Sequence, residues 1–155
     1  MALEGLGVAT NIIAIIELST KIESICLDYS SGVQNASNDI AQVVAEIINL
    51  KTTADSALQV LRSPDGAKLE VSQQLLGAVK AAVSRLEQLD AELRPASTRK
   101  YMGSLEIRAL KWPLQSNDIE NFTQDIARCI QTISTGLQNH QKYISRFSQV
   151  SSYAN

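Results

Sequence analysis

The residues best suited to chemistry are few: one histidine, His140, and two cysteines, Cys26 and Cys129. A zinc site needs three or four nitrogen and sulfur ligands at close spacing, and neither cysteine has a second one within a helical turn. No carboxylate lies within one helical turn of His140 to orient its ring, so a catalytic dyad has no local support. The sequence contains no HExxH, no CxxC, no Gly-rich phosphate loop and no nucleophile elbow. Its carboxylates are scattered, without the Glu-x-x-His pairs of di-metal helical bundles. These residues predict a protein that is not an enzyme, with no cofactor and no metal. Cys26, Cys129 and His140 each fall on an apolar helical stripe, which predicts two buried free thiols and a histidine that packs in the core or at its boundary.

Two other features stand out from the background. Residues 94–111 hold Arg94, Arg99, Lys100, Arg108 and Lys111 against a single acid, Glu106. The formal charge of the whole chain is −2, so a locally basic segment sits on an otherwise acidic protein. That balance gives no general attraction to nucleic acid. Near an anionic leaflet each basic residue contributes about 1 kcal/mol, which marks the five as candidate lipid head-group ligands; the plainer reading is a solvated loop whose charges pair with neighbouring acids. The second feature is Gly5 to Ile16, twelve residues without an ionisable group. Twelve helical residues span about 18 Å, short of the ~30 Å hydrocarbon core. Extension brings in Glu4 and Glu17, each costly at depth. The stretch is therefore not an ordinary single-pass anchor. It fits a bundle helix buried on most sides at rest, or a membrane-active helix if released.

Four helical stretches position these residues. In the first, from about residue 3 to 29, Val8, Ile12, Ile15, Ser19, Ile22, Cys26 and Tyr29 step by four and three. Leu6, Ile13 and Ile16 add a second stripe in its front half. The loop 30–35 ends it. Ser37 or Asn38 caps the second helix, whose stripe is Ile40, Val43 or Val44, Ile47, Leu50, Ala54, Leu58 and Leu61. Ser63-Pro64-Asp65-Gly66 is a turn. The third stripe holds Leu69, Leu75 or Leu76, Val79, Ala82 or Val83, Leu86, Leu89 and Leu93, and stops before Pro95. After an irregular segment containing Pro95, Gly103 and Pro113, a last helix starts at Asn117 with Glu120 as its capping-box partner. Ile119, Phe122, Ile126, Cys129 or Ile130, Ile133, Leu137, His140, Ile144 and Phe147 continue its stripe, with fraying from Ser148. Trp112 and Pro113 set the entry of that helix onto the core.

The expected fold is all-α, a four-helix bundle with mostly antiparallel helices, one domain over residues 1–150 and a frayed tail over 151–155. Composition agrees: 45% of residues are apolar but only 5% aromatic, a mix suited to interdigitating helix faces. Seven Gly and three Pro leave few turns. The lack of a disulfide framework, and of a basic region or cleavage site around the apolar start, predicts an intracellular chain.

Several motifs resemble the HeLo-like N-terminal domain of fungal NLR-type (STAND) proteins and related cell-death effectors. They are Gly5-Leu6-Gly7-Val8-Ala9; the run Tyr29, Gly32-Val33, Ala36, Asp39-Ile40, Glu46 and Leu50; and Leu110-Lys111-Trp112-Pro113 before an acidic amphipathic helix. The resemblance covers nearly the whole chain, and the Leu-Lys-Trp-Pro signature is its most specific part. Leu114 departs from the family's usual Phe, keeping an apolar contact but not its shape.

What the resemblance implies is a domain cytoplasmic at rest that oligomerises when a receptor or amyloid signal activates it, reaches the plasma membrane and permeabilises it. Carried onto this chain, the inserting element is the N-terminal helix, with Leu6, Val8, Ile12, Ile13, Ile15 and Ile16 as apolar contacts. The assignment of the basic segment to lipid head groups rests on charge alone. The implied partners are anionic lipids, other copies of the chain and an upstream NLR or amyloid component. The alternative is a non-lytic N-terminal module that signals by pairing with a partner helix or with itself.

Overall fold

The computed structural model describes residues 7–32, 36–64, 66, 69, 72–94 and 112–154. They form α1 (Val8–Gly32), α2 (Ser37–Arg62), α3 (Gln73–Leu93) and α4 (Ser116–Ala154). The chain is an all-α four-helix bundle. Its four substantial interfaces are α1/α2, α2/α4, α1/α3 and α3/α4, so α2 and α3 sit across a diagonal although consecutive in sequence.

Side-chain contacts fix the directions. Tyr29, near the end of α1, donates its hydroxyl proton to the carbonyl of Leu93 at the end of α3 (2.9 Å), so these two helices run the same way. Arg85 late in α3 pairs with Asp125 early in α4, and Gly136 of α4 lies 3.7 Å from Leu75 at the start of α3. Those helices are antiparallel. The short link between Gly32 and Ser37 makes α1 and α2 antiparallel as well. The chain thus runs up, down, up and down.

The periodic stripes account for the core. Val8, Ile12, Ile15, Ile22 and Cys26 of α1 are wholly buried, as are Val43, Ile47 and Leu50 of α2, Val79, Ala82, Leu86 and Leu89 of α3, and Phe122, Ile126 and Ile133 of α4. Where the spacing left two choices, Val43, Leu75, Ala82 and Cys129 face inward, and their neighbours Val44, Leu76, Val83 and Ile130 are partly buried. In the last turns of α2 the buried residue is Ala57, with Leu58 and Leu61 only partly covered. A small residue there lets the helices approach closely.

The helix ends differ in detail from the sequence reading. Neither Ser37 nor Asn38 caps α2: the N-cap is Ala36, with no side-chain hydrogen bond. In α3 the cap is Ser72, whose hydroxyl accepts from the Leu75 N–H at 3.3 Å. At α4 the reciprocal bond comes from Asp118, whose carboxylate accepts from the Gln115 N–H at 2.9 Å; Glu120 lies one residue pair too far along. In the turn after α2, the Gly66 N–H donates to the Ser63 carbonyl (3.0 Å). Gly66 packs against the backbone of Leu61 so closely that a Cβ would collide with it.

The largest difference concerns α4. It has 39 residues, about 58 Å at 1.5 Å per residue, against 25, 26 and 21 for the others. It continues as helix through Ala154, where fraying from Ser148 was expected. Its stripe leaves the core: His140 is buried but Phe147 is 67% exposed. The same three-four rhythm continues, but the shorter helices have ended and nothing among the described residues remains for Phe147 to pack on.

Candidate functional site

The front of α1 divides its candidate membrane residues between two faces. Val8, Ile12 and Ile15 are fully buried, Ile16 packs partly on the core, and Ile13 is 41% exposed on the outer face. Leu6 lies outside the described residues. The helix is held by burial: each fully buried Val or Ile contributes about 1.5–3 kcal/mol. Lys21 of α1 faces Asp90 and Glu23 faces Lys51, both at 3.8 Å, a length at which a pair near the surface contributes little. Ser19 occupies a fully buried position on the stripe, and its hydroxyl has no hydrogen-bond partner among the described residues.

No described helix is long and apolar enough to cross a membrane. Among the described residues no three His, Cys, Asp or Glu side chains converge where they could hold a metal ion. Burial, with the charge of Glu23 second, pushes the Cys26 thiol up to about 12. Burial, reinforced by Asp125, raises that of Cys129. Both are poor nucleophiles in this state.

Opposite the start of α1 lies the pole where α1 and α3 end and α4 begins. Here the ring of Tyr29 meets the edge of Trp112 with centroids 5.2 Å apart and planes at 85°. The Tyr29 hydroxyl satisfies one of the last carbonyls of α3, which have no partner within their own helix. Trp112 is half-buried against the core, Pro113 is exposed and Leu114 is buried. Leu114 therefore makes the apolar contact expected at that position. Burial raises the Tyr29 phenol, with the neighbouring Cys26 adding to the effect.

No family model matches the chain, and no curated protein or solved structure is significantly similar to it.

Of the five basic residues proposed for lipid head groups, Arg94 alone is described. It follows the last turn of α3, and its Nε lies 3.1 Å from Asp90, which also faces Lys21. Arg99, Lys100, Arg108 and Lys111 lie outside the described residues. Both attachment points of their segment, Arg94 and Trp112, are nonetheless at the Tyr29 pole. Val8 is 21 helical residues away from Tyr29, about 32 Å. The two candidate membrane elements are thus rooted at opposite ends of the bundle.

Sequence reasoning missed the free end of α4. Phe147 and Val150 are two-thirds exposed, and Lys142 and Arg146 sit on the same turns. A signal was present: no acidic residue follows Asp125.

Proposed function

We propose that this domain is a membrane-targeting cell-death effector of the HeLo-like kind, which oligomerises on activation and permeabilises the plasma membrane through α1. The observation that carries the reading is the double-sided apolar front of α1. One face, Val8, Ile12 and Ile15, is core; the other still presents Ile13, 41% exposed, and the stretch from Gly5 to Ile16 has no charge. Such a helix is stable in a bundle and equally at home in a bilayer or an oligomer that shields it. Twelve residues are too short to span alone, so permeabilisation needs several copies that share the cost of Glu4 and Glu17 around a wet lumen. Charge on residues 94–111 supports contact with anionic head groups. Relocation from cytoplasm to plasma membrane belongs to the same proposal.

The test is dye release from phosphatidylserine vesicles, paired with circular dichroism. Because Ile13 faces outward, Ile13→Glu should preserve the bundle and cut release at least tenfold; Leu6→Glu and truncation before Val8 should do the same. Folded variants with undiminished release would overturn the assignment of α1. The non-lytic signalling reading is favoured by one observation, the complete burial of Val8, Ile12 and Ile15. It expects no release by any form of the protein, and an α1 inaccessible throughout signalling.

A further inference from the structure

We infer that the overhanging end of α4 is a docking element for an anionic phospholipid surface. This builds on the membrane reading above but does not require lysis.

The stripe that is core at Phe122, Ile126 and Ile133 runs on to Ile144, Phe147 and Val150. Gly136 already packs against Leu75, near the first turn of α3, so α3 has ended a turn or so later and α2 stops at Arg62. Phe147 and Val150 are 67% and 68% exposed on a continuing helix, where an ordinary solvent-facing turn would carry polar groups. At 100° per residue the apolar positions form an arc about 120° wide, with Arg146 about 40° and Lys142 about 80° beyond its Val150 edge. Both cations line the same polar surface as Gln138, Gln141, Ser145 and Gln149.

Charge selects the occupant. From residue 126 onward the chain carries Arg128, Lys142 and Arg146 and no acid. A second copy of α4 laid on this face would meet its own charge type with no carboxylate to pair, which disfavours a homotypic contact. A helix with aromatic and aliphatic residues on one side, and cations beyond one edge of them, suits the boundary between head groups and acyl chains. The position fits too. Because α4 is antiparallel to α3, which runs with α1, this end of α4 lies at the pole where α1 starts. Docking here brings the front of α1 to the membrane, whereas Arg94, the described basic residue of the other candidate segment, is at the opposite pole.

The test is co-sedimentation of the full chain with phosphatidylcholine vesicles, with and without phosphatidylserine, at low and high salt. Wild type should bind the anionic vesicles at least tenfold better than neutral ones, and less well in high salt. Lys142→Gln with Arg146→Gln, and separately Phe147→Ser with Val150→Ser, should each lower anionic binding about tenfold or more, at unchanged helicity. As an independent readout, an environment-sensitive dye on Phe147→Cys should brighten on anionic vesicles, and one on Gln149→Cys, across the helix, should not. Wild-type binding indifferent to phosphatidylserine, full binding by either double variant, or equal brightening at both sites would overturn the inference. So would concentration-dependent dimerisation that the Phe147→Ser, Val150→Ser pair abolishes while vesicle binding stays intact. Release of dye without dependence on α4 would leave the α1 reading standing and remove this one; α4-dependent binding without release would do the reverse.

Discussion

Ser19 is a residue at which the bundle is poorly satisfied. It sits between Ile15 and Ile22 on a stripe that is otherwise apolar, fully buried, with a hydroxyl that meets no partner among the described residues. A buried polar atom left unpaired costs about 1–3 kcal/mol. Ser19→Ala removes that cost and leaves only a small void, so it should stabilise the domain by about 1 kcal/mol in urea unfolding. A loss of stability instead would mean that the hydroxyl is bonded in solution. If α1 must leave its seat to act, the same variant should also slow dye release. Tyr29 is the counterexample, a buried polar group fully used through its bond to Leu93. Tyr29→Phe should cost about 0.5–1.5 kcal/mol and loosen the contact with Trp112.

At the scale of the element, neighbouring apolar residues of α1 contribute unequally to stability. Ile12 is fully buried and its neighbour Ile13 is 41% exposed. Ile12→Ala should therefore cost about 2–5 kcal/mol, whereas Ile13→Ala should fall below about 1 kcal/mol. Equal costs would show that α1 is rotated from the orientation described. The α3/α4 pair relies on a more specific clamp: Arg85 holds Asp125 at 3.1 Å and lies over the ring of Phe122 at 5.2 Å. Lysine lacks the planar fork that makes both contacts, so Arg85→Lys should not rescue the stability lost in Arg85→Ala.

At the scale of the whole molecule, the two thiols report on opening. Cys26 is on α1 and Cys129 on α4, and both are buried. At neutral pH neither should react with a thiol reagent while the bundle is closed. If α1 is released on anionic vesicles, as proposed, Cys26 should become reactive. The raised thiol also sets a pH dependence. Above the ordinary value of 9.0 an unfolded Cys26 ionises, whereas the folded one stays protonated to about 12. The native state then binds more protons than the unfolded state, so stability falls as pH climbs from about 9. Cys26→Ala lacks this term, and the gap between wild type and variant in urea midpoints should narrow above pH 9.

The sequence by itself determined the helices and their inward faces, because a three-four spacing of Ile, Leu and Val leaves a chain one way to hide them from water. It placed Val8, Ile12, Ile15, Ile22 and Cys26 on one buried line. It also carried the front of α1 as a candidate site, since a charge-free stretch is visible without a fold. Tertiary structure alone decided which of two adjacent apolar residues is core, as with Val43 over Val44, because that depends on the angle of the neighbouring helix. It alone showed that the stripe of α4 outruns its partners at Phe147: periodicity records a helix's own geometry and contains nothing about where the other three stop. The separation of Arg94 and Trp112 from the start of α1 has the same origin. Helix direction and adjacency arise from how four stripes close around one core, and no single stripe encodes them.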